Sequence, residues 1–159
     1  MSVNMKFEGG RDIEKALAEL AAGTAKGVGR RALKKELQPV ASLANALWPG
    51  SDDKVFRVTS RIAGGQRGDS HARRGRSVIN MFVGAPGGAN GTPEAHLIEF
   101  GTGPRYTKNG SFRGSVAPQP MLQPAWDAYK GQMLDGLGER LWDEIQKTQA
   151  RAAKKAAKG

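Results

Sequence analysis

The segments His96-Leu97-Ile98-Glu99-Phe100-Gly101-Thr102 and Ala117-Pro118-Gln119-Pro120-Met121-Leu122-Gln123-Pro124-Ala125-Trp126 flank a Gly-rich, basic loop. The prolines at 118, 120 and 124 fix φ and remove backbone donors, so the second segment stays extended until a helix starts at Pro124 or just after it. Gly101-Thr102-Gly103 stops the element that ends in Glu99-Phe100, with Phe100 packed into the core and Gly101 in a left-handed position just past the helix. The chain thus ends one element sharply, makes a mobile excursion from Gly101 to Gly114, and returns through a proline-locked stretch into a final helix.

Upstream of this pair, Thr92 caps a short helix whose first turn is Pro93, Glu94 and Ala95 and which carries His96, Leu97 and Phe100. Lys54 to Ile62 and Ser77 to Val83 alternate and are rich in β-branched residues, which predicts two antiparallel strands. Ser115-Val116-Ala117 can add a third. Between the first two strands, Ala63 to Arg76 has no apolar periodicity and reads as a long functional or disordered loop, and Gly84 to Gly91 reads as a flexible one.

Both ends of the chain read as helical. Asp12 is a candidate N-cap for a helix carrying Ile13, Leu17, Leu20 and Ala21, after Met5-Lys6-Phe7 as a brief strand. Gly23, Gly27 and Gly29 predict a break or kink. A second pattern through Leu33, Leu37, Val40, Leu43, Ala44 and Leu47 stops at Trp48-Pro49-Gly50, with Pro39 kinking it or starting it anew. The last helix spans about Pro124 to Lys147, with Trp126, Tyr129, Met133, Leu137, Leu141, Trp142 and Ile145 as its apolar stripe. Residues 148–159 are a basic Ala/Lys-rich tail with nothing to bury, read as disordered. The expected fold class is α+β: a small, mostly antiparallel sheet packed against N-terminal and C-terminal helices, with long flexible loops, in one domain over residues 1–147.

A chain of 159 residues can bury a core without staples. It has no cysteine, which removes thiol nucleophiles, disulfides and Cys-type zinc sites. No stretch reaches the roughly 18 apolar residues of a membrane helix, so no membrane is expected as partner. The formal charge of +10 suggests an anionic partner. Residues 1–50 mix eight basic with five acidic groups, the pattern of a solvated helix face. From Arg57 to Arg76 there are six arginines, at 57, 61, 67, 73, 74 and 76, against Asp69 alone. From Lys147 to Lys158 there are five basic residues and no acid.

These features, above all Glu99, Phe100, Gly101 and Thr102 followed by Pro118, Pro120, Leu122, Pro124 and Ala125, resemble the tail-completion or head-to-tail joining proteins of long-tailed bacteriophages. That group of small neck proteins also compares with the lambdoid minor tail protein Z. The likeness covers roughly residues 5–145, with a short strand, a charged helix and a hydrophobic segment closing at Pro49. The resemblance implies a structural virion protein, assembled in the host cytoplasm, with no enzymatic activity and no cofactor. It further implies a homo-oligomeric ring, commonly of six subunits, between a tail terminator or tail tube protein and a head connector or portal-side protein, with DNA passing non-specifically through the lumen.

The residues expected at subunit or partner interfaces are Glu99, Phe100, Gly101, Thr102, Pro118, Pro120, Met121, Pro124 and Trp126. Arg67, Arg73, Arg74, Arg76, Arg105, Lys108 and Arg113 are the expected DNA-facing residues, because guanidinium groups spaced by Gly and Ser suit phosphate oxygens. Arginine equally suits carboxylates of a neighbouring subunit. Trp48, Trp126 and Trp142 read as core or interface anchors.

Other chemistry is sparse. His96 and Glu99 share a helical face and can pair, but two ligands fall short of the three or four that a metal site needs, so no metal is expected. Asp52-Asp53 reads as a turn. The glycines at 84, 87, 88 and 91 lack the Gly-Lys-Ser/Thr ending of a phosphate loop. The alternative function is a stand-alone, sequence-independent nucleic-acid-binding protein using the arginine-rich loop and the basic tail.

Overall fold

The structure is a computed structural model that describes residues 10–52, 54–60, 78–86 and 91–157. Four helices and one strand pair follow in the order α1 (Gly10–Ala18), α2 (Ala22–Ala46), β1 (Arg57–Thr59), β2 (Phe82–Gly84), α3 (Ala95–Phe100) and α4 (Leu122–Ala156). The fold class is α+β, as the sequence suggests. The strands pair antiparallel with Arg57 opposite Gly84, Val58 opposite Val83 and Thr59 opposite Phe82. The expected Met5 strand and the arginine-rich segment from Arg61 through Arg67, Arg73, Arg74 and Arg76 lie outside the described residues.

The strands are shorter than their alternation suggests, and Asn45 of α2 supplies a reason. Its amide donates to the Phe56 carbonyl at 2.9 Å and accepts the Phe56 N–H at 2.7 Å. A helix side chain thus takes the place of a neighbouring strand immediately before β1, where Val55 and Phe56 are buried. Val116, expected in a third strand, forms a single antiparallel bridge with Thr102.

The helix break lies upstream of its expected position. Gly23, Gly27 and Gly29 all sit inside a continuous α2, and the chain turns instead at Ala21, whose ψ of 138° is extended. Gly29 has a packing role, because a Cβ there would collide with the Ile79 side chain. Pro39 also lies within α2 and withholds one helical hydrogen bond. The surrounding burial of Leu37, Val40, Ala41 and Ala44 offsets that loss.

The last helix is longer than the apolar stripe predicts, running 35 residues, or about 52 Å at 1.5 Å per residue. Residues 148–156, expected to be disordered, continue it as an extension that is exposed from Gln149 onward, while Thr148 still accepts a hydrogen bond from Arg31 at 3.1 Å. Helix propagation costs far less than nucleation, so an Ala/Lys-rich segment can extend a helix already anchored by packing. Pro124 occupies the third helical position, where no N–H would have an intrahelical partner. Trp126 and Trp142 lie off the buried stripe, at 44 and 42 % exposure, while Ala125, Glu144 and Ile145 are buried.

One apolar cluster joins all layers: Val40, Ala44, Val55, Phe56, Ala95, Met121 and Ala125, with Leu43, Trp48, Ile98, Tyr129 and Met133 packed against it. Trp48 meets Phe56 edge-on, with centroids 6.0 Å apart. Further along, α2 and α4 are clasped by charge. Glu144 of α4 accepts from Arg31 at 2.7 Å and Lys35 at 2.6 Å, and Arg140 of α4 reaches back to Glu36 of α2. The descending partner numbers make the helices antiparallel. Both carboxylates are buried, so this stretch of α2 is an interhelical contact and departs from the solvated face its charge mixture suggests.

Candidate functional site

The two motifs that flank the loop form one unit. At the end of α3, the buried carboxylate of Glu99 accepts the backbone N–H of Met121 at 2.9 Å and of Leu122 at 3.1 and 3.2 Å, with Gln123 N–H at 3.5 Å. These are donors that the first turn of α4 cannot satisfy internally, and no residue at its own N-cap does so. A carboxylate also suits the positive end of the helix dipole. The bond from Gln119 N–H to the Ile98 carbonyl, at 2.8 Å, fastens the proline segment alongside α3.

Gly101 is required for a different reason than a left-handed helix end. Its φ of 71° and ψ of 178° place it in a region that essentially glycine alone occupies. A Cβ there would stand 2.7 Å from the Val116 carbonyl oxygen and 2.8 Å from the Pro118 nitrogen. Thr102 closes the same neck: its N–H donates to the Val116 carbonyl at 2.8 Å and its Oγ1 accepts the Val116 N–H at 3.0 Å.

The excursion beyond this neck is a hydrogen-bonded hairpin arm. Arg105 N–H donates to the Gly114 carbonyl at 3.0 Å and Arg113 N–H to the Arg105 carbonyl at 2.7 Å, so Arg113 and Gly114 both oppose Arg105 in a bulge. Thr107 N–H reaches the Ser111 carbonyl at 2.9 Å, and Gly110, at φ 78°, completes the tight end around Lys108 and Asn109. Tyr106 and Phe112 face one another with ring centroids 5.5 Å apart, yet remain 63 and 60 % exposed.

The expected interface residues separate accordingly. Glu99 and Met121 are buried and act inward, Gly101 and Thr102 are half-buried in the neck, and Pro118, Pro120, Pro124 and Trp126 are exposed. Phe100, expected in the core, is 79 % exposed because the cap turns Glu99 inward in its place. His96 is exposed, and the α4 backbone engages the carboxylate of Glu99, with which His96 shares a helical face. Among the described residues no group of three His, Asp or Glu side chains is placed to hold a metal ion. Of the expected DNA-facing residues, Arg105, Lys108 and Arg113 stand exposed on the arm.

Two surfaces escaped the sequence reading. One is the aromatic pair on the arm, whose members are six residues apart and meet only across the hairpin. The other is the basic tail as a helix face: Lys147, Arg151, Lys154 and Lys155 follow i, i+4, i+7, i+8 spacing on α4 and are exposed. That spacing is written in the sequence and becomes a surface once the segment is helical. An open cleft of about 420 Å³ between Asp52, Lys54, Arg57, Pro86 and Thr92 is a further concavity.

Compared with family models, with characterised proteins and with solved structures, the chain finds no match. Among the described residues no helix is long and apolar enough to cross a membrane.

Proposed function

We propose that this chain is a structural protein of a phage virion, of the tail-completion or neck class, that joins tail to head connector as a ring around the DNA channel. The observation that supports this reading best is the clamped arm. Glu99 and the proline segment fix a rigid base, and the arm displays Tyr106 and Phe112 to solvent beside Arg105, Lys108 and Arg113. Aromatic side chains with arginine, presented on an ordered element, are the composition of a protein-docking surface. Glu99, Gly101, Thr102, Pro118 and Leu122, which are among the residues that carry the phage resemblance, take part in this base.

The test is the mass of the purified protein by light scattering, alone and then mixed with isolated tails or with connector-bearing heads. A monomer that is captured stoichiometrically by either particle supports a neck component. Absence of capture by both would overturn it.

The exposed cationic face of α4 favours a second reading, a stand-alone nucleic-acid-binding protein. Lys147, Arg151, Lys154 and Lys155 suit a row of phosphates, and no acid lies between Ile145 and Ala156. Tight, salt-sensitive binding of free duplex by the isolated chain, together with failure of capture, would favour it.

A further inference from the structure

We infer that Arg31, Lys34 and Lys35 of α2 join Lys147, Arg151 and Lys155 of α4 in one strip that binds the sugar-phosphate backbone of a nucleic-acid duplex. This rests on the nucleic-acid reading of α4 and adds a second helix to it. Lys26 to Lys35 holds five cations and no acid. The antiparallel pairing lays that stretch beside the end of α4, where Arg31 reaches Glu144 at 2.7 Å and Thr148 at 3.1 Å. Lys147, Arg151 and Lys155 follow Glu144 at i+3, i+7 and i+11 and so share its face. Lys34 and Lys35 stand one turn from Arg31, and all three are exposed. Glu144 alone would interrupt the row on α4, and the two α2 cations bonded to it cover that break.

The strip is held in place as well as charged. Arg31 Nε and Nη2 donate to Glu144 and Thr148, which fixes the guanidinium plane and leaves Nη1 without a partner among the described residues. Gly27 makes room for that nitrogen, since a Cβ there would stand 3.3 Å from it. Arg31 and Lys35 share the single buried carboxylate of Glu144, so the group keeps a net positive charge and spare donors. Lys34, Arg151 and Lys155 form no ion pair among the described residues. Lys147 makes only an exposed pair with Asp143 at 3.5 Å, a contact that contributes little.

The composition of the strip selects its ligand. No exposed aromatic or large aliphatic side chain stands from Lys26 to Lys35 or from Asp143 to Ala156. Trp142 precedes Glu144 by two residues and so lies about 200° round the helix. A single strand calls for rings on which bases stack, and a protein partner calls for an apolar anchor. A membrane surface calls for a bulky apolar face, where the far side of this segment has Ala150, Ala153 and Ala156. The phosphates of a duplex need cations alone. Glu144 to Lys155 spans about 16 Å of helix axis, along which a duplex presents about ten phosphates.

The test titrates a short DNA duplex with the full-length protein by fluorescence anisotropy at several salt concentrations. Lys34→Gln combined with Lys35→Gln removes two cations of α2 and leaves Arg31 on Glu144, so no buried carboxylate is stranded. Lys54→Gln combined with Lys130→Gln removes the same charge from exposed positions elsewhere. The expected result is a slope of log K against log salt that flattens by about 1.8 in the first variant, with no comparable change in the second. Thermal unfolding confirms that each variant is folded. Binding by the wild type with a slope that the first variant leaves unchanged would overturn the strip while the nucleic-acid reading of α4 stands. Equal flattening in both variants would reduce the effect to net charge and overturn it too. No binding by the wild type would remove reading and inference together. Tighter binding to a single strand, or to phosphatidylserine vesicles, than to the duplex would overturn the choice of ligand.

Discussion

The carboxylate of Glu99 lies 2.9 Å from the backbone nitrogen of Met121, which is 22 residues further along the chain and buried. The last residues of a short helix thereby cap the longest helix of the molecule, and the hairpin arm leaves and returns between the two. Together with the Thr102–Val116 and Gln119–Ile98 bonds, this bond holds the base from which the arm projects.

Glu99→Ala should therefore act as a lost cap and as the exposure of buried, unsatisfied N–H groups. A loss of about 2–4 kcal/mol follows from the usual cost of each. Glu99→Gln keeps an acceptor oxygen and loses the charge, so it should cost less. Urea unfolding of both variants measures the difference, and equal stability of Glu99→Ala and wild type would contradict the capping role.

Two glycines should respond oppositely to alanine. Gly101→Ala is strained in backbone and meets the Val116 carbonyl, and it should destabilise by about 1–3 kcal/mol. Gly23→Ala, inside α2 with nothing within 4 Å of its added methyl, should stabilise by about 0.5–1 kcal/mol. Thermal unfolding of the pair decides both signs.

Glu144 makes stability acid-sensitive. The Lys35 ammonium and Arg31 guanidinium bonded to its carboxylate lower its pKa from 4.5 to about 2. Because the folded value lies below the unfolded one, the stabilisation is fully present above about pH 4.5 and is lost as pH falls toward 2. Glu144→Gln should be less stable near neutrality and show a shallower decline between pH 5 and about 2. Denaturant midpoints across that range test it, and an unchanged slope would refute the assignment.

If the basic face of α4 meets phosphates, replacing Lys147, Arg151, Lys154 and Lys155 with glutamine should weaken duplex binding uniformly across sequences. The slope of log K against log salt should flatten by about 0.9 for each phosphate contact removed. Fluorescence anisotropy at several salt concentrations gives the slope, and an unaltered one would clear this face of the role.

The sequence was most legible where the signal is local. Alternation marked the two strands, the Gly-Thr-Gly step marked the end of α3 at Phe100, and the apolar period marked a long final helix. Local signals also misled. Glycines at 23, 27 and 29 suggested a break, yet Gly29 accommodates Ile79 within a continuous helix. Charge mixing around Glu36 suggested a wet face, whereas Arg140 reaches it from 104 residues away. Phe100 has the composition of a core residue and is exposed, because Glu99 beside it takes the inward position.

By itself the sequence determined the fold class, the strand pair, the place where the arm begins and the excess of positive charge, since these follow from backbone restrictions and periodicities within a few residues. The tertiary structure alone decided that Glu99 faces the start of α4, that α2 and α4 share buried ion pairs, and that Tyr106 and Phe112 stand exposed together. The reason is physical: the partner of a buried carboxylate, or of an aromatic ring, is selected by which distant elements pack side by side, and no short-range preference encodes that choice.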